Sequence, residues 1–219
     1  MRPYGFLLLL ALCSPPVLAE GMKNPQIEFQ TNQGSFVVEL YPDKAPKTVA
    51  NFMQYVSNGF YMGTLFHRTI KRFMIQGGGL TPEMQEKSTF SSVPNESNNG
   101  LKNEPGTLAM ARAFEPDSAT SQFFINIADN KFLNYYKPDP HYIGYCVFGK
   151  VIRGMQVVER ISEVPTRTVK AFSDVPVEPV VIEKVAVLET PVEAEALSEL
   201  PIKSSKPASK GKKRGQTAH

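Results

Sequence analysis

Apolar and polar side chains alternate along much of the stretch between Asn24 and Thr190, which is the period of a half-buried strand. Gln26–Thr31 and Ser35–Tyr41 alternate on either side of Asn32-Gln33-Gly34, a hairpin pattern. Strand-like runs recur at Thr64–Thr69, Phe73–Gln76, Thr107–Ala111, Gln122–Ile127, Cys146–Val151 and Val180–Leu188. In two places the period becomes helical. Pro46 opens a stretch that sets Val49, Phe52, Met53 and Val56 on one face and ends at Asn58-Gly59. Proline in the first turn and glycine at the end bound an amphipathic helix. A shorter helix carries Met155, Val158 and Ile161. Eight strands with two helices predict a mainly β fold, a closed eight-stranded antiparallel barrel with two capping α-helices. Gly77 to Gly106 has little periodicity, and a loop of that length predicts a functional or mobile segment.

The two ends depart from this pattern. Arg2 is followed by the apolar run Phe6 to Leu12, the breaker Ser14-Pro15-Pro16, and Ala19 before Glu20. That order predicts a cleavable secretory signal peptide over residues 1–19, and the run is too short for a membrane anchor. Leu12 before Cys13 argues against a lipoprotein signal. A globular domain over 20–190 follows, then a disordered basic tail over 191–219. The 219-residue chain has 24 Lys and Arg against 21 Asp and Glu. Setting aside Arg2, Glu20 and the tail's six basic and three acidic residues leaves 17 of each sign in residues 21–190. The body thus gives no reason to expect nucleic-acid binding, and the tail reads as a solvated extension. With Cys13 in the signal, Cys146 is alone, a small buried hydrophobe within Tyr145-Cys146-Val147-Phe148.

Ordinary reactive chemistry is missing from the sequence. The three histidines are His67, His141 and His219, and no His/Cys/Asp cluster has metal-ligand spacing. Gly77-Gly78-Gly79 lacks the Lys-Ser/Thr of a phosphate loop, and Ser118 and Ser121 lack a nucleophile-elbow context. His67, inside Leu65-Phe66-His67-Arg68, reads as a strand histidine rather than a general base. Neither a metal nor a cofactor is expected.

What remains is a dense set of aromatic, Met, Gln and Arg residues. The run Phe66-His67-Arg68-Thr69-Ile70-Lys71-Arg72-Phe73-Met74-Ile75-Gln76-Gly77-Gly78 resembles the signature of the cyclophilins, peptidyl-prolyl cis–trans isomerases. Gly106-Thr107-Leu108-Ala109-Met110-Ala111, Ser121-Gln122-Phe123-Phe124-Ile125 and Val147-Phe148-Gly149-Lys150-Val151 agree in order, so the resemblance covers about residues 24 to 190. It implies a cyclophilin-like barrel and a site that speeds rotation about X–Pro bonds. Arg68, Phe73 and Gln76 would be its catalytic residues. Phe73, Met74, Phe124 and Leu133 would line a proline slot with Ala111 at its edge. Gln76 and the backbone of Arg112 would hold substrate peptide groups, Gln122 would organise the wall, and Phe132 and Tyr145 would contribute to substrate binding. On alternation alone, Phe73, Met74 and Phe124 read equally as barrel core, and Arg68 as a surface cation. Phe73 and Gln76 also fall on opposite faces of a regular strand, an arrangement that a bulge would relieve.

Three positions depart from the familiar eukaryotic pattern. Phe132 stands in place of tryptophan and lacks its hydrogen-bond donor, so cyclosporin binding is expected to be weak. Tyr145 stands in place of histidine, and Arg112 in place of asparagine. These substitutions are similar to those of bacterial periplasmic cyclophilins, as is Asp117-Ser118-Ala119-Thr120-Ser121-Gln122. Asn134–His141 is less matched and is expected to reshape the pocket rim. With the signal peptide, the resemblance implies a periplasmic monomer acting on unfolded or proline-containing polypeptides. A non-catalytic proline-binding or chaperone module is the alternative.

Overall fold

The computed structural model describes residues 24–195. The expected signal peptide lies outside the described residues, as does residue 196 onward of the expected tail. Chain order is β1 (Gln26–Thr31), β2 (Gly34–Leu40), α1 (Pro46–Ser57), β3 (Phe66–Ile70), β4 (Met74–Gly77), β5 (Thr107–Met110) and β6 (Phe123–Asn126). A 3-10 turn at Lys131–Leu133 precedes β7 (Val147–Arg153) and α2 (Met155–Ser162). The described chain ends with β8 (Thr166–Val169), β9 (Phe172–Pro176) and β10 (Ile182–Val187). Eight strands form one sheet in the order β10-β1-β2-β7-β5-β6-β4-β3, and every pairing in it is antiparallel.

The sheet curls until its outer strands meet. Phe66 N–H donates to Val180 O at 2.9 Å, and the amides of Ile182 and Gly63 donate to Thr64 O and Ile182 O at 2.8 Å each. A single bridge, Leu65 to Val181, lies at the centre of this seam. The barrel expected from the strand count is therefore drawn together by a short stitch between the β3 and β10 edges instead of a full ladder. Each of the eight expected runs overlaps a strand of this sheet, with ends that differ by one or two residues in most cases. The β8–β9 hairpin, which forms a separate two-stranded sheet against β3, was not expected. β8 is exposed apart from half-buried Val169, β9 buries the adjacent Val175 and Pro176, and neither strand carries an apolar alternation.

The barrel interior is packed by aromatic rings around Phe123. Its ring centroid lies 5.5 Å from those of Phe29 and Tyr61, 5.7 Å from Phe52 and 5.9 Å from Phe66. Tilted and edge-on pairs of this kind each contribute about 0.5–1.5 kcal/mol beyond area burial. Gly78 makes room for this cluster. It has φ +82°, and a Cβ there would fall 2.7 Å from the Phe123 ring.

Helix α1 closes one end of the barrel by burying Thr48, Val49, Phe52, Tyr55 and Val56. Tyr55 takes the fully buried place expected for Met53, which is only partly covered. Ala45 supplies no side-chain cap. Instead the Glu96 carboxylate accepts from the Thr48 amide at 2.8 Å, the Lys47 amide at 3.2 Å and the Thr48 hydroxyl at 2.7 Å. A carboxylate at free first-turn amides satisfies orphan donors and complements the helix dipole. Glu96 belongs to the irregular 77–106 stretch, which is pinned along its length. Val93 donates to Ala119 O at 2.9 Å, Asn95 Nδ2 to Gly144 O at 3.2 Å and Asn99 Nδ2 to Val147 O at 2.8 Å.

Helix α2 buries Met155, Val157, Val158 and Ile161. Beyond it, the contacts of the body continue past Thr190. Val192 N–H donates to Gln26 Oε1 at 2.7 Å, and Glu195 N–H to Ile152 O at 2.7 Å. Among the described residues, no helix is long and apolar enough to cross a membrane.

Two buried groups bear on the chemistry. Burial pushes the Cys146 thiol up to about 11, with the Thr48 hydroxyl 3.5 Å away, so it is packed and unreactive. His67 is buried with Nδ1 unpartnered, and desolvation lowers its pKa from 6.5 to about 4. Above pH 6.5 neither the folded nor the unfolded chain is protonated there. As pH falls from 6.5 toward 4, the unfolded chain takes up a proton that the folded one excludes. Stability should then fall by up to about 1.4 kcal/mol per pH unit from this group. Urea unfolding of the wild type and His67→Gln at pH 7 and 4.5 checks this, and the variant should lose less stability over that interval.

Candidate active site

Strand alternation builds the site on the outer face of the same strands that fill the barrel. Ile75, Phe123, Ile125, Leu108, Met110 and Phe148 point inward to the aromatic core. Their neighbours Met74, Phe124, Ala109 and Val147 form a second buried cluster, with Phe73, Ala111, Leu133 and Tyr145 packed around it. Met74 and Phe124 are thus apolar floor for an open cavity, not barrel interior.

Phe73 reaches this cavity from a turn. Arg72 adopts φ 59°, Phe73 N–H donates back to Ile70 O at 3.1 Å, and β4 begins at Met74. The β4–β6 register runs unbroken through Met74–Asn126, Ile75–Ile125 and Gln76–Phe124. No bulge separates Phe73 from Gln76. Strand parity does not apply to Phe73, because it precedes the strand.

The cavity holds about 260 Å³, and nine of the eleven expected residues line it. Phe73, Met74, Ala111, Phe124, Leu133 and Tyr145 make its apolar part, and Arg68, Gln76 and Arg112 its polar part. Gln122 lies in an adjoining groove of about 220 Å³ that also contains Gln76, Ala111 and Arg112. It accepts a hydrogen bond from Gln76 Nε2 at 2.9 Å. Phe132, 75% exposed, stacks on Phe73 with centroids 5.6 Å apart and does not line the cavity.

Arg68 and Gln76 are paired across β3 and β4, so sheet register brings the guanidinium and the amide to one rim. Asp174, from the hairpin, places Oδ2 3.6 Å from Arg68 Nε. On the opposite side Arg112 ties the rim together through its side chain, where only its backbone was expected to matter. Its guanidinium donates to Gly144 O at 3.1 Å, Ala113 O at 3.0 Å, Phe114 O at 2.8 Å and Pro140 O at 3.4 Å. It also lies 4.8 Å from the centroid of the Tyr145 ring. Tyr145 in turn meets Phe124 edge-on at 5.6 Å.

A buried asparagine network, absent from the sequence reading, holds two walls of the slot. Asn130 donates to Phe73 O at 3.0 Å and to Asn126 Oδ1 at 2.7 Å. Asn126 donates to Asn103 Oδ1 at 3.1 Å, and Asn103 to Leu133 O at 3.1 Å. Apart from Asn126 and Asn130, these partners are far apart in the chain, and no local motif marks them.

The lining contains no carboxylate, imidazole or thiol. It offers an apolar slot large enough for a small ring, flanked by a fixed cation and amide groups, which suits binding and electrostatic work without covalent chemistry. The Arg112 fork should show itself as local stability. Charge-assisted hydrogen bonds contribute about 1.5–3 kcal/mol when buried and less at a rim. Arg112→Ala should therefore speed chymotryptic cleavage at Tyr136 and Tyr142 by about tenfold through local opening. Arg112→Lys, which lacks the planar fork, should not restore protection.

Comparison with known proteins agrees with this geometry. Residues 26–187 match the family model of the cyclophilin type peptidyl-prolyl cis-trans isomerase/CLD. A peptidyl-prolyl cis-trans isomerase of Acinetobacter baylyi is 54% identical over 166 residues, covering 76% of this chain and 87% of that protein. Peptidyl-prolyl cis-trans isomerase B of Escherichia coli is 52% identical over 163 residues, covering 74% and 99%. Among solved structures, a cyclophilin type isomerase of Cryptosporidium parvum superposes with TM-score 0.66 at 29% identity, covering 77% of this chain and 99% of that one. The same isomerase in the presence of the dipeptide Ala-Pro gives TM-score 0.65, at 29% identity and 75% and 99% coverage. A barrel with this outer-face slot, a family match across nearly all of it and bacterial isomerases identical at half their positions make one conclusion: the chain belongs to the cyclophilin-type peptidyl-prolyl cis–trans isomerases.

Proposed function

We propose that this chain accelerates X–Pro rotation in exported polypeptides, with Arg68 acting on the twisted amide. The barrier is roughly 18–20 kcal/mol because the nitrogen lone pair is delocalised into the carbonyl. No bond has to break. In the twisted state the lone pair is localised on nitrogen and becomes a hydrogen-bond acceptor. A guanidinium facing that nitrogen favours the twisted state over both planar isomers, the condition for catalysis. Arginine suits this, being permanently charged with directed donors.

The observation that carries the reading is the pairing of Arg68 with Gln76 on the rim of an apolar slot. Phe73, Met74, Phe124 and Leu133 hold the proline ring, with Ala111 at the edge and Tyr145 as the wall. Gln76, oriented by Gln122, and the Arg112 backbone hold the flanking peptide groups. The Ala-Pro dipeptide used with the C. parvum isomerase is the chemical unit such a slot would take. Phe132 offers only carbon and hydrogen outside the slot, in keeping with weak cyclosporin binding.

A hydrogen bond to a charged donor contributes about 1.5–3 kcal/mol, or roughly 10- to 150-fold in rate. Arg68→Ala in residues 20–219 should accordingly lower kcat/KM for a short Xaa-Pro peptide by about 100-fold while still binding proline peptides. A variant with near-normal turnover would overturn the role of Arg68. Proline-peptide binding by a parent that shows no turnover would make the slot a docking site.

Export to the periplasm rests on the signal-like residues 1–19 and on the bacterial pattern of substitutions. Expressed in a Gram-negative host, the full chain should be recovered from the periplasmic fraction with Glu20 as its N-terminus by intact mass. Recovery from the cytoplasm with residues 1–19 retained would refute it.

A further inference from the structure

The β8–β9 hairpin belongs to neither the barrel sheet nor the slot, yet it lies against β3, the strand that carries Arg68. Its anchoring is specific. The Phe172 ring meets the buried His67 ring edge-on at 6.4 Å, and Val175 is buried against the body. Between those two anchors stands Asp174, with φ 59°, a left-handed conformation that a residue with a Cβ seldom adopts inside a strand. Asparagine and aspartate tolerate it best among side chains larger than glycine. That kink interrupts strand alternation at one residue, and its carboxylate stands 3.6 Å from Arg68 Nε.

Arg68 makes no other ion pair among the described residues. With side chains 40% and 38% exposed, the Arg68–Asp174 pair is screened by solvent and adds little to global stability. Its effect is directional. An acceptor near Nε restrains a long, flexible side chain and leaves both terminal amino groups of the guanidinium for the cavity that Arg68 lines.

We propose that Asp174 is a positioning residue, delivered by the β8–β9 hairpin to hold the Arg68 guanidinium toward the twisted amide. This rests on the proposed role of Arg68. Because only the transition state uses the aimed donors, losing the aim should lower kcat and leave KM nearly unchanged.

The test compares Asp174→Asn, Asp174→Gly and Asp174→Glu with the wild type, each also in the Arg68→Ala background, using one Xaa-Pro peptide. Asp174→Gly accepts φ 59° without strain, so a fall in its activity cannot be assigned to a distorted hairpin. Asp174→Asn and Asp174→Gly should lose about five- to tenfold in kcat, and Asp174→Glu should recover part of it. Raising salt from 0.05 to 1 M should carry the wild type toward the Asp174→Asn level, which should itself be nearly insensitive to salt. In the Arg68→Ala background none of the three should have any further effect. Full activity in Asp174→Asn and Asp174→Gly, alongside a loss in Arg68→Ala, would overturn the positioning role alone. An equal loss with and without Arg68 would overturn it as well. Near-normal activity in Arg68→Ala would instead overturn the reading on which it rests.

Discussion

Phe123 and Phe124 are neighbours in sequence and face opposite sides of one sheet, and that two-sidedness governs the molecule. All four residues of β5 and of β6 are buried. Inner side chains join the aromatic barrel core, and outer ones form the floor of the slot. Burying a large apolar side chain on either face contributes roughly 1.5–3 kcal/mol, so both faces commit these strands to one register. A slip by one residue would send Phe124 into the barrel and Phe123 into the slot. It would also empty the space that Gly78 keeps open for the Phe123 ring. The slot is therefore not a feature added to a finished barrel. The barrel's register is what shapes it.

Away from the strands, side chains do the work that ladders do elsewhere. Glu96 caps α1 from 48 residues away along the chain. Asn103, Asn126 and Asn130 join loops on both sides of the slot, and Arg112 gathers carbonyls from two segments around Tyr145. Buried polar groups are costly when unpaired and specific when paired. Such groups let the long stretches at 78–106 and 127–146, which hold one 3-10 turn and no longer helix or sheet strand, keep a fixed rim.

Most strands of the barrel sheet were legible in the sequence because they bury one face or, in β5 and β6, both, and burial is what an apolar pattern reports. Helix α1 was legible through Pro46 and the spacing of Val49, Phe52 and Val56. The slot was legible by resemblance of the Phe66–Gly78 run to a family signature, since alternation alone could not separate Phe124 from Phe123. The β8–β9 hairpin left no trace because β8 is exposed and β9 buries the neighbours Val175 and Pro176 instead of every second residue, so neither has an apolar period to display. Phe73 lies just before β4 because Arg72 turns through φ 59°, which nothing in the sequence shows. The Arg112 fork reaches Pro140 and Gly144, and the asparagine network ties Asn103 and Asn130 to Leu133 and Phe73, contacts to residues distant in sequence that no local pattern reports.

On the proposed mechanism, the packing of the slot divides its residues by what they can do for the rate. Phe73, Met74, Phe124 and Leu133 touch the proline ring, whose shape is nearly the same in the cis, trans and twisted states. Their contacts bind all three states about equally, and uniform binding lowers KM without raising kcat. Only groups that face the amide itself meet something that changes during rotation, namely the geometry and charge of its nitrogen and carbonyl. Those groups are Arg68, Gln76 and the Arg112 backbone, and all stand on the rim. The side chains among them, Arg68 and Gln76, are held by directed contacts, a 3.6 Å ion pair and a 2.9 Å amide pair, instead of by close packing. Such contacts add little to stability, and that is consistent with their purpose. A packed core is needed to hold the ring, whereas the rate depends on a few donors kept in one orientation before the substrate arrives.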